Sequence, residues 1–537
     1  MRKAGSVLLA ALLAGQVHAQ GVTVPPGESI YRQGVLPSGR QLTAKREPEL
    51  SISGAEAACS NCHRRSGLGE IEGSITIPPI SGPYLFRPRA SGPDDLHVPY
   101  IDGMRIDREP YTDATLARAI REGLGADGSP LNYLMPHYDS LGDSDMAALI
   151  GYLKGMTSSR VPGVTSSAVN FATIITPDAD PVKRRGMLAV LDQFFSDQNE
   201  FARAESPHVR SSHPTMIKAN RRWQLHVWEL NGAPATWEQQ LHQYLAHEPV
   251  LAVISGLGGN HWAPVHRFCE QASLPCLFPN VDLPVAAERD FYPLYFSRGV
   301  LLEADLLAHQ LIADKKSVRR VVQVFRADDI GEPAAKAVTA ALAGSGIQAV
   351  ERPLRKAGDA RQLAAELGNV GARDALLLWL RPNDIAALAN VPVRASAAFM
   401  SGLMGGLGNA PVPAVWRPLI HMAYPFDLPE KRRVRVDYTL GWLALYHLPV
   451  VDEQVQADTY VACNLLSETL TQVSDSLNRD YLIERIEGML EHRIVTGYYP
   501  RLALAPHERF ASKGGYIVHF TQPSGAQVSA DTDWIVP

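Results

Sequence analysis

From residue 169 to residue 537, short apolar runs alternate with amphipathic helical stretches, and that rhythm leaves few folds open. A strand buried on both faces reads as a continuous apolar run, whereas a helix lying on a sheet repeats its apolar residues every three or four positions. Segments 170–176, 250–257 and 375–380 are of the first kind, and 184–201 and 237–245 of the second. Segment 223–230 alternates as a strand, and 275–279 is a further short one. The series restarts at 295–298, passes a long helix, a strand at 321–325, a turn at 328–331 and another helix. Such alternation predicts an α/β fold. At 537 residues the chain exceeds one ordinary core, so two or three domains are expected.

The front of the chain carries different chemistry. Cys59-Ser60-Asn61-Cys62-His63 is a C-x-x-C-H pattern. Two thiolates at this spacing can each add to a haem vinyl group, and the histidine that follows is placed against the iron. Bare C-x-x-C also serves zinc and thioredoxin-like sites, but the chain has only five cysteines and no second C-x-x-C to complete a four-thiolate zinc site. The pattern predicts one covalently attached haem c. Met135, stiffened by Pro136, is the candidate sixth ligand, with Met104, Met146 and His137 as rivals or a core methionine as the plain alternative. Residues 141–153 read as a helix with acidic residues in its first turn. Arg64 and Arg65 could meet a haem propionate, form a docking patch or simply be solvated.

Arg2 and Lys3, the apolar run 7–14 and Val17-His18-Ala19 read as a signal peptide over 1–19, too short to span a bilayer. An exported, periplasmic protein with no membrane span is expected. Export permits a disulfide between Cys269 and Cys276; two separately buried thiols are the alternative. Cys463 reads as a core residue. A formal charge of −5 offers no footprint for nucleic acid. Gly256 to Gly259 fails the dinucleotide-loop spacing at His261, and the pairs His242/His247 and His208/His213 are spaced by five, not as in H-E-x-x-H.

Two resemblances follow from these residues. Residues from about 27 to 156 resemble a class I cytochrome c, in which a C-x-x-C-H helix precedes an M-P loop and a final helix; 111–123 resembles the middle helix of that family. The resemblance implies an all-α domain in which the carbonyl of Pro79 holds His63. A long insert between Tyr31 and Cys59 and the stretch 88–110 depart from the family pattern. Residues 168–537 resemble the type I periplasmic binding proteins, the class of the leucine/isoleucine/valine-binding protein. The carriers are the turn at Ser255-Gly256, the strand around Cys276, the Asp329-to-Gly331 turn and a late helix over 458–477. That implies two Rossmann-like lobes closing on a ligand. The amino-acid site itself transfers poorly. Asp282 would repel a ligand carboxylate, Ile330 stands where an aromatic is expected, and the acid expected near Ser401-Gly402 is missing. Ser255, Asn260 and Asp282 are left as cleft candidates, with turn capping as the plain alternative.

The resulting expectation is a multidomain protein: signal peptide 1–19, all-α cytochrome c domain 20–156, linker 157–168, and an α/β two-lobed periplasmic-binding-protein-like domain 169–537. Its lobes are expected over 169–291 plus 415–505 and over 292–414 plus 506–537. The function expected is electron transfer by an exported mono-haem c-type cytochrome whose second domain recognises a small solute or a redox partner, such as a dehydrogenase or another cytochrome. The alternative is a solute-binding receptor of an ABC-type uptake system carrying an accessory cytochrome. A haem enzyme is disfavoured, because a methionine-ligated iron has no open position.

Overall fold

The computed structural model describes residues 24–46, 50–72, 75–86, 109–156, 161–205, 221–285, 287, 289–314, 318–355, 359–368, 370–371, 373–392, 395, 397–434, 438–473, 477–492, 498–505 and 508–537. The expected signal peptide, Met104, His208 and His213 lie outside them. The described chain forms two compact units, one within 24–156 and one within 161–537. Among the described residues no helix is long and apolar enough to cross a membrane.

The first unit is built on two crossed helices. Pro25 and Pro26 start the helix Pro26–Gln33, and Gly34 ends it in the left-handed region. It crosses Asp143–Gly155 at Gly27, where a Cβ would stand 2.2 Å from the Ala148 carbonyl oxygen and 2.6 Å from Tyr152 Cβ. Backbone cannot retreat as a side chain can. Gly27→Ala is therefore expected to destabilise this unit by about 1–3 kcal/mol, read as faster hydrogen exchange in 143–155. The helix Asp113–Glu122 carries a capping box between Thr112 and Thr115.

This unit is not all-α, contrary to expectation. The insert between Tyr31 and Cys59 pairs as an antiparallel hairpin, β1 (Thr43–Arg46) with β2 (Leu50–Ser53), and β3 (Glu70–Glu72) pairs with β4 (Ile75–Ile77). Ala44 and Ile52 are buried and face each other in register. Alternation this short is easily missed in the sequence.

The second unit holds two sheets. In the first, β5 (Ala168–Ile175), β6 (Arg222–Glu229), β7 (Ala252–Ile254), β8 (Cys276–Leu277) and β9 (Pro293–Leu294) run parallel in the order β6-β5-β7-β8-β9. The second contains β10 (Arg320–Arg326), β11 (Gln348–Leu354), β12 (Asp374–Trp379), β13 (Ala397–Ser401), β14 (Ile420–Tyr424), β15 (Tyr516–Phe520) and β16 (Val528–Ala530), ordered β11-β10-β12-β13-β14-β15-β16. Its first five strands are parallel; β15 and β16 close the edge antiparallel. Every residue of β12 is buried, the apolar run 375–379 because it faces packing on both sides and Asp374 through its pair with Arg320. The disulfide Cys269–Cys276 is formed, with Cα atoms 6.1 Å apart, and ties the helix Ala263–Gln271 to β8. Cys463 is fully buried.

Three expected boundaries are corrected. Strand β14 pairs with β13 and β15, so residues 420–424 belong to the second lobe, whereas β9 and the bridge Tyr295–Phe510 keep 293–295 in the first. The chain passes between lobes three times: after Phe296, after Tyr424 and before Tyr516. Between the last two passages lies the helix Glu453–Val473, which packs on Pro181–Glu205 through the Phe194–Tyr460 ring contact and a Ser467-to-Gln198 hydrogen bond of 3.3 Å. Nor is 161–168 free linker. Val161 and Val164 pack on the core, and Asn170 N donates to the Gly163 carbonyl at 2.8 Å.

Candidate functional site

In the first unit, the turn of helix Ser60–His63 buries the His63 ring. Its Nδ1 lies 2.9 Å from the carbonyl oxygen of Pro78, not of Pro79 as expected. The reason is the register of the β3–β4 hairpin, in which Glu70 faces Ile77. Gly69 (φ 69°) lets this segment close in: a Cβ there would stand 2.0 Å from the Ile77 oxygen. A carbonyl can only accept, so Nδ1 carries the proton and Nε2 keeps its lone pair. Burial holds the imidazole below its ordinary pKa, partly offset by the Pro78 bond. Burial also pushes the Cys59 thiol up to about 12. Cys59 and Cys62 are not joined to each other, and Arg46 Nη2 stands 3.9 Å from Cys62 Sγ. Arg64 pairs with Glu70 at 3.4 Å.

Among the rivals for the sixth ligand, Met146 is buried within its helix, and the His137 ring packs on Gly123, where a Cβ would meet Nε2 at 2.3 Å. Met135 is half-buried in a turn closed by its N–H donating to the Asn132 carbonyl at 2.9 Å. Among the described residues no group of three or more His, Cys, Asp and Glu side chains is placed to hold a metal ion.

The second unit carries a cleft. In each lobe the first strand lies between the second and the third, and the crevice outside the carboxyl ends of such strands is where doubly wound sheets bind ligands. From the first lobe come Thr176 and Asp178 after β5, Asn260 after β7 and Asp282 after β8. From the second come Asp328 and Asp329 after β10 and Arg381 after β12. Arg381 grips Asp329 with two bonds, 2.9 and 3.1 Å, and reaches across to Asn260 Oδ1 at 3.3 Å and Asp282 at 3.7 Å. Asn260 Nδ2 donates to the Asp328 carbonyl at 3.4 Å. Lys183 stands 4.0 Å from Asp282, whose charge raises the lysine pKa.

Beside this ion cluster a cavity of about 40 Å³ is lined by Lys183, Asn280, Asp282, Asp458, Tyr499, Phe296 and Phe426, among others. Of the three sequence candidates, Asp282 lines it, Asn260 bridges the lobes at the cleft, and Ser255 lies behind the wall. Ser255 (φ 50°) is buried; its hydroxyl accepts from Asn280 Nδ2 at 2.8 Å and meets Thr459 Oγ1 at 3.2 Å. The acid missing near Ser401-Gly402 arrives from elsewhere: the Glu303 carboxyl takes the Ser401 hydroxyl and the Leu403 N–H at 2.9 Å. It is fully buried, and burial pushes its pKa up to about 8.

Sequence reasoning missed Lys183, Arg381, Asp178 and Asp458. For Lys183 a signal existed. Asp180-Pro181 is a cap followed by a first-turn proline, and the Asp180 carboxylate accepts the Val182 and Lys183 N–H groups at 2.7 and 3.1 Å. The helix thus begins at Pro181, ahead of the expected 184.

Solved structures resemble the second unit in fold. A fatty acid ABC transporter substrate-binding protein from Thermomonospora curvata matches over 71% of this chain and 95% of its own, at TM-score 0.50 and 15% identity. A branched chain amino acid ABC transporter from Thermus thermophilus, with bound valine, matches over 69% and 97%, at TM-score 0.51 and 11% identity. No family model and no curated protein sequence matches the chain. A two-lobed α/β fold shared with these solved structures thus accounts for most of the chain. This overturns the expectation that the protein as a whole is an electron-transferring cytochrome. The dehydrogenase or cytochrome partner is dropped with the reading that required it.

Proposed function

We propose that the protein is a solute-binding receptor that holds a small molecule between the two lobes of its second unit. The observation that carries this reading is the cleft: both parallel sheets turn their switch-point strand ends toward one ion-lined crevice with a cavity beside it. The names of the similar structures, a fatty acid and a branched chain amino acid transport component, support export and delivery to an ABC-type transporter. Mass spectrometry of small molecules released from the purified protein, followed by calorimetric titration of each, tests the reading. One compound binding at a single site per chain is expected, and Asp282→Ala is expected to weaken it. An empty protein that binds nothing across a broad metabolite screen would sink it.

For the first unit we propose that the cytochrome c resemblance is real, with one haem c tethered by Cys59 and Cys62 and ligated by His63 and Met135. The residues fit the group: two unbridged thiols precede a buried imidazole whose Nδ1 is engaged by Pro78 and whose Nε2 retains its lone pair. Bound there, haem would supply a six-coordinate iron with no open position. The intact chain is expected to weigh one haem more than its sequence. Cys59→Ala with Cys62→Ala should abolish that increment, and Met135→Ala should alter the visible spectrum. A mass equal to that of the bare chain after haem-competent export overturns the assignment.

A further inference from the structure

The donors that a doubly wound lobe offers to an anion are already taken in this chain. The Asp178 carboxylate accepts the Asn260 N–H at 2.8 Å and the Thr176 hydroxyl at 2.5 Å, and the Gly259 N–H points to the same Thr176 oxygen at 3.2 Å. The fit leaves no slack, since a Cβ on Gly259 would stand 2.3 Å from the Asp178 carboxylate. These bonds hold the Asp178 pKa below its ordinary value despite the opposing cost of burial. A protein carboxylate thus occupies donors that the carboxyl ends of β5 and β7 present to the cleft.

The cations of the cleft are also compensated. Lys183 faces Asp282, and Arg381 faces Asp329 and Asp282. Asp458 is the group left over. It lines the cavity at 5% exposure, where it meets the neutral Tyr499 hydroxyl at 3.3 Å. Burial pushes its pKa up to about 8, against the Tyr499 and Gln454 hydrogen bonds and the charge of Lys183, which together do not offset it. Beside it the cavity wall is aromatic: Phe296 stacks on Tyr499 at 5.4 Å, and Phe426 packs on Tyr499 at the same separation. Aromatic faces and a carboxylate together favour a cation. A space of about 40 Å³ has room for about three water-sized groups, so the occupant is small.

Resting on the receptor reading above, we propose that the solute is a small organic ammonium ion without a carboxylate, an alkylamine or amino alcohol, held by Asp458 against Phe296, Phe426 and Tyr499, and that Asp178 is the residue that rejects carboxylates. Calorimetric titration of the full-length chain with ethanolamine and n-propylamine, against leucine and propionate, tests it. The amines are expected to bind about tenfold or more tightly than either carboxylate compound. Asp458→Asn, nearly isosteric, should weaken the amines by about 10- to 100-fold without lowering the melting temperature. Asp178→Ala should free the Asn260 N–H and the Thr176 hydroxyl and strengthen propionate binding by about tenfold. Tighter binding of leucine or propionate than of the amines overturns the proposal and leaves the receptor reading standing; so does amine binding indifferent to Asp458→Asn, or a screen whose only hits lack an amine. A screen with no hit at all overturns the receptor reading itself.

Discussion

Arg509→Met is expected to destabilise the second unit by about 3–5 kcal/mol, because it breaks the buried ion pair that Arg509 makes with Glu487. The pair is almost solvent-free, with side chains 1% and 4% exposed, and Arg509 Nη2 donates to Glu487 Oε1 at 2.6 Å. Arg509 also donates through Nη1 to the Phe291 carbonyl at 2.8 Å. One guanidinium therefore ties the helix Arg479–His492, the third passage between lobes and the approach to β9. Replacing both partners, Arg509→Met with Glu487→Met, should restore most of the lost stability, since apolar side chains of similar volume need no counter-charge. Denaturant unfolding of the two single variants and the double variant gives the coupling directly. Equal loss in the double and the Arg509 single variant would show that packing and the Phe291 bond dominate over charge.

Stability is expected to fall as pH rises from about 4 to about 8, and Asp458→Asn to flatten that fall. Burial raises the folded-state pKa of both Asp458 and Glu303 to about 8. Over that window the folded chain keeps protons that the unfolded chain releases, so raising pH favours unfolding. The contribution is fully present below the unfolded pKa and is lost as pH passes through the folded one. A tenfold difference in proton affinity between the two states is worth about 1.4 kcal/mol, so each group can change stability by on the order of 5 kcal/mol across the window. Melting temperatures of wild type and Asp458→Asn should converge near pH ~4 and diverge toward pH ~8, with the variant higher. Parallel curves would mean that Asp458 is ionised and paired in the folded chain.

The same residue links stability to recognition. A cavity carboxyl that is costly to ionise alone becomes favourable to ionise when an ammonium arrives. Asp458→Asn is therefore expected to stabilise the empty protein while weakening ligand binding, a trade common where a site stores unfavourable charge.

How much of this was legible follows from range along the chain. The runs 170–176, 250–257 and 375–380 became parts of buried strands because continuous apolarity is a local property that burial on both faces demands. Asp282 could be singled out because its charge conflicts with a carboxylate ligand wherever the fold puts it near one. Ser255 could not be judged: whether its hydroxyl faces the cavity or the Asn280–Thr459 network depends on a helix some 204 residues later. Pro79 failed by one residue, since hairpin register decides which carbonyl meets His63, and a two-strand register leaves little trace in so short a pattern.

Spacing and period alone divide the chain into a front segment with C-x-x-C-H chemistry and a long strand–helix alternation that had to become parallel sheets. Both are local patterns, readable without knowing what folds against what. The arrangement of charge in the cleft is not local and arises only on folding. It brings Asp178 onto Asn260 across 82 positions, Glu303 onto Ser401 across 98, and Arg381 to Asp282 from the opposite lobe. Those meetings depend on which strand ends converge at the switch points, a consequence of sheet order that no local period encodes. They leave the Asn260 N–H and the Thr176 hydroxyl at the mouth of the cleft already bonded to Asp178.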